Sequence, residues 1–99
     1  MYNAWFTGFH NRKFKRPLTD IVYQDDQGGL LDVEHDLDAL RKKSADSWKS
    51  LFDKRWRSHE WPYASGIWGK LEWVYPGIDP KNIVSFAEGG TNLWHAQRL

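Results

Sequence analysis

The chain has 99 residues, a formal net charge of +1 and no cysteine, and these three facts exclude several classes of protein. Disulfides and thiolate zinc sites need cysteine, and a protein that binds a polyanion usually carries a clear basic excess. No apolar run approaches the ~20 residues that cross a bilayer, and no basic-then-apolar leader opens the sequence. We therefore expect one small cytoplasmic domain with no membrane partner.

Aromatic residues are unusually frequent, at 16% of the chain with seven tryptophans. Tryptophan buries much apolar area while its N–H still needs a partner, which favours interfaces and half-buried seams. The mean hydropathy of −0.74 indicates a surface that is otherwise polar. We expect some tryptophans to cover a neighbouring domain or subunit, with a self-contained aromatic core as the alternative.

The first 35 residues predict a small antiparallel ribbon of short strands. Residues 1–9 alternate loosely and are rich in aromatics, which is typical of a strand. A basic, turn-like run follows at residues 10–17, and residues 20–23 predict a second strand. The pair Gly28-Gly29 can supply the positive φ angles of a turn. A third strand is then expected from Leu30 onward.

Residues 36–57 predict an amphipathic helix. Asp36 is the expected N-cap, and Asp38 suits the positive end of the helix dipole. Apolar or small side chains recur at steps of three and four residues, which indicates one apolar stripe on the helix. The stripe comprises Leu37, Leu40, Ser44, Trp48, Leu51, Phe52 and Trp56. The polar stretch at residues 44–47 weakens the middle, so two shorter helices remain possible.

Residues 58–99 predict a loop-rich part. Pro62 disfavours helix at the residue before it, and a short helix is expected over 67–75. Residues 83–86 and 92–95 are candidates for short extended segments. The whole chain is therefore predicted to be an α+β fold in one small domain. Its parts are a ribbon at 1–35, a helix at 36–57 and a linker-like part at 58–99.

Histidines and acidic residues give no sequence pattern for a metal or acid–base site. The histidines are scattered, and a transition-metal site needs three or four converging ligands. The acidic run from Asp25 to Asp38 is more typical of a solvated face and a helix cap than of a catalytic pair. The four histidines are His10, His35, His59 and His95.

Two short stretches suggest phosphate contact but allow simpler readings. The basic run at residues 12–16, with Phe14 inside it, could contact phosphate and stack a base. The near-neutral total charge argues against nucleic acid, so we expect no such partner. Glu88-Gly89-Gly90-Thr91 could bring backbone amides close to a phosphate, but by itself it predicts a plain turn.

Three stretches carry more specific motifs, in a consistent order along the chain. Residues 24–33 are similar to Cys-x-x-Cys-Gly-Gly-Leu-Leu-Glu-Val, residues 62–68 to Pro-Tyr-x-Ser-Gly-Val-Trp, and residues 83–93 to Val-Ser-Leu-Gly-Glu-Gly-x-Thr-Pro-Leu. Together they resemble the N-terminal portion of bacterial threonine synthases. These are pyridoxal-phosphate enzymes of the fold-type II, tryptophan synthase β-like, group. Ala87 and Asn92 depart from the pattern.

Many members of that family open with a zinc-ribbon-like piece, and the resemblance implies a degenerate, cysteine-free version here. Gln24 and Gln27 stand at the second cysteine pair, and Thr7 and His10 stand where the first pair would be. All four ligands are thus replaced, and we expect a ribbon without zinc.

The resemblance also implies a parent enzyme that converts O-phospho-L-homoserine and water to L-threonine and phosphate. Its catalytic lysine follows the third motif, whereas no lysine occurs here after Lys81. We therefore expect no catalytic residue, no bound pyridoxal phosphate and no activity in the segment alone. By resemblance Glu88, Gly89, Gly90 and Thr91 lie near the active-site entrance. We expect Trp61, Tyr63 and Trp68 to pack against the catalytic domain.

Two other classes of function stay open on the sequence. One is a stand-alone interaction module whose exposed tryptophans bind a protein partner, with a homo-oligomer as one form. The other is a weak nucleic-acid binder through residues 12–16, for which steep salt dependence would be the signature.

Overall fold

The computed structural model describes residues 1–99, and its contacts divide the chain into two compact units. The first unit comprises residues 1–44 and 75–77, and the second comprises residues 45–74 and 78–99. None of the helices combines the length and the apolar character that a membrane crossing requires. Each unit is described by itself.

The first unit is built on a three-stranded antiparallel sheet in the order β2-β1-β3. The strands are β1 (Ala4–Gly8), β2 (Lys15–Pro17) and β3 (Leu31–His35). Because side chains alternate along a strand, the central β1 presents a different set of residues to each face of the sheet. Ala4 on one face and Thr7 on the other are both buried.

The second strand lies earlier than the sequence predicted. Residues 20–23 form no strand, and Lys15–Pro17 pairs with β1 instead. The basic run was predicted as a turn because charged residues have a low strand propensity. Charged residues are nevertheless common on exposed edge strands, and this strand is at the edge of the sheet. The ammonium group of Lys15 lies 3.9 Å from the ring centroid of Trp5, which gives this charged strand a packing partner.

A buried carboxylate organises the turn before β3. Asp25 is only 8% exposed, and its Oδ1 accepts hydrogen bonds from the backbone N–H of Gln27 at 2.8 Å and of Gly29 at 2.7 Å. The amide of Asp25 donates in turn to the Gly29 carbonyl. A Cβ atom added to Gly29 would lie 2.6 Å from the Asp25 carboxylate, so the turn requires glycine there.

The predicted helix at 36–57 is two helices, the alternative that the polar stretch at 44–47 left open. α1 is Leu37–Arg41 and α2 is Ala45–Arg55. Asp36 caps α1 as expected, because its side chain accepts a hydrogen bond from the Ala39 amide at 3.0 Å. The break falls at residues 42–44.

The second unit packs α2 against a short helical segment. A 3-10 turn at Trp68–Lys70 runs directly into α3 (Leu71–Val74), which confirms the helix predicted over 67–75. Trp48, Phe52 and Trp73 form an aromatic cluster with ring centroids 4.9 to 5.6 Å apart. Such contacts add to the burial of the rings themselves.

The remainder of the second unit is almost free of regular structure. A second 3-10 turn spans Pro80–Asn82, and Ile83 after it is buried. The strands considered at 83–86 and 92–95 are absent. These residues find no neighbouring strand with which to pair. The sheet of the first unit and the helices along the chain confirm the predicted α+β class.

One partly buried ion pair connects the elements of the second unit. The guanidinium of Arg55, at the end of α2, binds both carboxylate oxygens of Glu72 in α3 at 2.7 and 2.9 Å. It also donates to the Gly69 carbonyl and lies 3.8 Å from the Tyr63 ring centroid. The hydrogen bond to Glu72 is the main cause that raises the pKa of Arg55.

Replacing Arg55 tests how much the Arg55–Glu72 pair contributes to the stability of the fold. We expect Arg55→Met to lower the free energy of unfolding by about 2 kcal/mol, because it removes the guanidinium that binds both oxygens of the partly buried Glu72 carboxylate. The control is Lys49→Met on the same helix, whose pair with Asp46 is exposed and should contribute about 0.5 kcal/mol or less. Urea unfolding followed by tryptophan fluorescence measures both. Equal losses would contradict a central role for Arg55.

Candidate functional site around residues 85–92

The stretch that follows Ser85 is a series of tight turns with several backbone angles in the left-handed region. Ala87, Gly89 and Gly90 have φ angles of 57°, 96° and 64°. Glycine adopts such angles freely, whereas an alanine there costs roughly 1–2 kcal/mol. Side chains support the strained residue, since the Ser85 hydroxyl accepts a hydrogen bond from the Ala87 amide at 3.2 Å.

The Glu88 carboxylate folds back on the same turn. Its Oε2 accepts a hydrogen bond from the Phe86 amide at 2.7 Å and another from the Ser85 hydroxyl at 3.4 Å. Hydrogen bonds from its own amide and from that of Phe86 favour the ionised form and lower the pKa of Glu88. Glu88 thus keeps a negative charge while it fixes the turn.

This segment contacts the loop at residues 62–68 through the backbone alone. The amide of Gly66 donates to the Glu88 carbonyl at 2.9 Å. A Cβ atom added to Gly89 would lie 3.0 Å from the Gly66 nitrogen, so glycine at 89 permits the close approach. Two of the three motif-bearing stretches, chosen from sequence without any indication of contact, therefore meet in the structure.

Two residues at the end of α2 hold the segment from the other direction. Arg57 donates to the Asn92 side chain at 2.6 Å and to the Gly90 carbonyl at 3.4 Å. The Trp56 indole lies directly on Gly90, where an added Cβ atom would be 3.0 Å from the ring. The helical pattern predicted Trp56 in the apolar stripe, whereas this residue is 57% exposed, and the pattern gave no indication of a role for Arg57. No local pattern connects a helix end to a loop more than 30 residues later.

The residues singled out by sequence have different surroundings. Glu88, Gly89 and Thr91 are exposed and Gly90 is half-buried. Trp61 is 53% exposed, whereas Tyr63 and Trp68 are half-buried within the second unit. Tyr63 lies against the Arg55 guanidinium, and the Trp68 amide donates to the buried Ser65 hydroxyl at 2.9 Å. The interface role of these three aromatics stays a prediction.

The positions of the four replaced zinc ligands form no metal site. Thr7 is buried and its hydroxyl donates to the Arg12 carbonyl at 3.4 Å, while His10, Gln24 and Gln27 are exposed. No group of three or more His, Cys, Asp or Glu side chains could hold a metal ion.

Comparison with known proteins finds threonine synthases that are similar to most of this chain. No protein-family model matches the chain. Over 82 residues it is 49% identical to "Threonine synthase 2, chloroplastic" of Arabidopsis thaliana and 30% identical to "Threonine synthase" of Methanocaldococcus jannaschii. The chain matches an N-terminal segment of threonine synthase. The matches cover 83% of this chain but only 16% and 17% of these two relatives.

A pair of glycines tests how Trp56 holds the segment at residues 85–92. Gly77 and Gly90 both have positive φ, but an added Cβ atom meets nothing within 4 Å at Gly77 and lies 3.0 Å from Trp56 at Gly90. We expect Gly77→Ala to cost about 1 kcal/mol through backbone strain alone. Gly90→Ala should cost more and should shift the indole NMR signal of Trp56. An unmoved Trp56 signal in Gly90→Ala would refute this contact.

The lowered pKa of Glu88 predicts a pH-dependent turn. The ionised carboxylate stabilises the turn above the ordinary glutamate pKa, and that stabilisation is lost as the pH falls through the lower pKa of the folded state. A ¹³C NMR titration should give a midpoint for Glu88 below about 4.3, the usual glutamate pKa. The chemical shift of the Phe86 amide should titrate with the same midpoint. In Glu88→Gln that titration should be absent. An unshifted midpoint would contradict the hydrogen bonds that Glu88 accepts.

Proposed function

We propose that the chain is the N-terminal part of a threonine synthase, a lyase of threonine biosynthesis that converts O-phospho-L-homoserine and water to L-threonine and phosphate. The observation that carries the proposal is the 49% identity over 82 residues with the plant enzyme. The geometry supports it, because the loop at 62–68 and the segment at 85–92 form one backbone contact.

Pyridoxal phosphate, when bound, supplies the electron sink for this chemistry. The residues of this chain do not fit the cofactor. Lys81 is the last lysine, and its ammonium group lies 3.0 Å from Asp79 on an exposed turn outside any Ser-x-Lys-Asp motif. We therefore propose that the cofactor is held by another part of the enzyme. Zinc has no role in this proposal, because Thr7, His10, Gln24 and Gln27 stand where the family has four cysteines and supply no thiolate.

The role proposed for residues 88–91 is to form part of the active-site entrance. Glu88 and Thr91 are exposed, while Arg57 and Trp56 fix the backbone beside them. A charged, preorganised turn of this kind can orient a polar substrate without taking part in bond making. No step of the reaction is assigned to these side chains.

The partner proposed for this segment is the catalytic domain of the same enzyme. Large apolar side chains near the third motif are 76% to 100% exposed, which is unusual for residues of this size. They are Val84, Phe86, Leu93 and Trp94. The same exposure also suits the second candidate, a stand-alone module that binds a protein or a second copy of itself.

A chimeric enzyme tests the proposal. The 82 matching residues of the Arabidopsis enzyme are replaced with those of this chain, and phosphate release from O-phospho-L-homoserine is measured with and without EDTA. We expect activity within about tenfold of the parent, unaffected by EDTA, because the substituted segment supplies the same packing and entrance residues. The isolated 99-residue chain should release no phosphate above a heat-killed control.

Two controls make the result decisive. The parent enzyme without its matching segment should lose activity, which shows that the assay depends on this part. A chimera that folds and binds pyridoxal phosphate but releases no phosphate would overturn the proposal. Phosphate release by the isolated chain would overturn the assignment of the cofactor to another part of the enzyme. Concentration-dependent self-association of the isolated chain, together with an inactive chimera, would favour the interaction module.

A further inference from the structure

The first unit contains a groove of its own, lined only by residues of that unit. It has a volume of about 380 Å³, and its floor and walls are largely apolar. Pockets of about 300–1,000 Å³ are the range in which proteins bind small molecules. The side chains that form its apolar surface are Ala4, Trp5, Pro17, Leu18, Tyr75 and Pro76.

The walls of the groove are held by specific contacts. The Tyr75 hydroxyl donates to the Leu18 carbonyl at 3.1 Å, which fixes the wall formed by residues 75–77 against the stretch that follows β2. On the sheet side, the indole N–H of Trp5 donates to the Glu34 carboxylate at 3.1 Å. Both aromatic rings are therefore positioned before any ligand arrives.

The groove is lined by two cations that no carboxylate neutralises, Lys15 and Arg16. Lys15 lines it, with its ammonium group 3.9 Å from the Trp5 ring centroid and no ion pair to any acidic residue. Arg16 also lines the groove, but its guanidinium lies over Phe14 at 5.4 Å. The ion pair of the basic run is made by Arg12, with Asp32. Of the two, Lys15 is the cation that lies beside Trp5, one of the aromatic walls of the groove.

We infer that this groove is a binding site for a small organic anion, a phosphate or carboxylate that carries an apolar ring or chain. Its anionic group would pair with Lys15, and its apolar part would lie between Trp5 and Tyr75. A compact lysine ammonium pairs with an anion as a point charge and does not demand bidentate geometry. The inference does not rest on the proposed function, because the groove and residues 85–92 belong to different units.

The test is an NMR titration of the ¹⁵N-labelled 99-residue chain with three probes. Phenyl phosphate carries both the charge and the ring, inorganic phosphate carries the charge alone, and phenol carries the ring alone. We expect phenyl phosphate to give saturable shifts at the Trp5 indole and at the amides of Lys15, Thr19 and Gly77. Inorganic phosphate and phenol should each bind at least tenfold more weakly.

Two lysine variants distinguish binding of phenyl phosphate in the groove from its general attraction to the basic run. Lys13 belongs to the same basic run but does not line the groove. Lys15→Met should weaken phenyl phosphate at least tenfold, and Lys13→Met should change it less than twofold; both positions are exposed, so both variants should fold. Equal weakening in the two variants, equal affinity for inorganic phosphate, or shifts without saturation at these residues would overturn the inference.

Discussion

The contact on which the second unit depends is the fork between Arg55 and Glu72. A helix of 11 residues with a sparse apolar face is only marginally stable by itself, so it needs further contacts to hold the loop that follows it. The guanidinium joins the end of α2 to α3, to the Gly69 carbonyl and to the face of Tyr63. Because α2 is fixed at this end, Trp56 and Arg57 just beyond it are placed to hold residues 85–92. The aromatic cluster buries apolar surface between α2 and α3, and the Arg55–Glu72 ion pair fixes how the end of α2 is oriented against α3.

The candidate site is therefore defined by backbone proximity and not by a constellation of reactive side chains. Glycines at 66, 89 and 90 allow main chains and an indole ring to approach within van der Waals contact. Such an arrangement can fix a turn and present the Glu88 carboxylate, and residues 85–92 contain no lysine. That agrees with a segment whose match covers 16% of its plant relative. The chemistry of the family belongs, in our proposal, to the rest of the enzyme.

Local signals in the sequence predicted the parts that local physics decides. The Asp36 cap, the break near Ser44 and the helix after Ile67 each follow from short-range rules, and each is present. The second strand was misplaced because pairing with β1 outweighs the low strand propensity of a basic run. The motifs at 62–68 and 83–93 could be recognised separately, but the hydrogen bond between Gly66 and Glu88 joins distant parts of the chain. Trp56 and Arg57, which contact Gly90, lie more than 30 residues before it. Long-range contacts of that kind leave no periodic pattern.

The membership of residues 75–77 in the first unit has a consequence for synthesis on the ribosome. The chain emerges from its N-terminus, so the sheet strands and α1 are available long before Tyr75. Residues 75–77, which form one wall of the groove, are synthesised only after α2 and α3. They include the Tyr75 hydroxyl that donates to the Leu18 carbonyl. The first unit is therefore complete only when residues 75–77 have been made, and a nascent chain that ends before Tyr75 presents Trp5 and Leu18 without that wall.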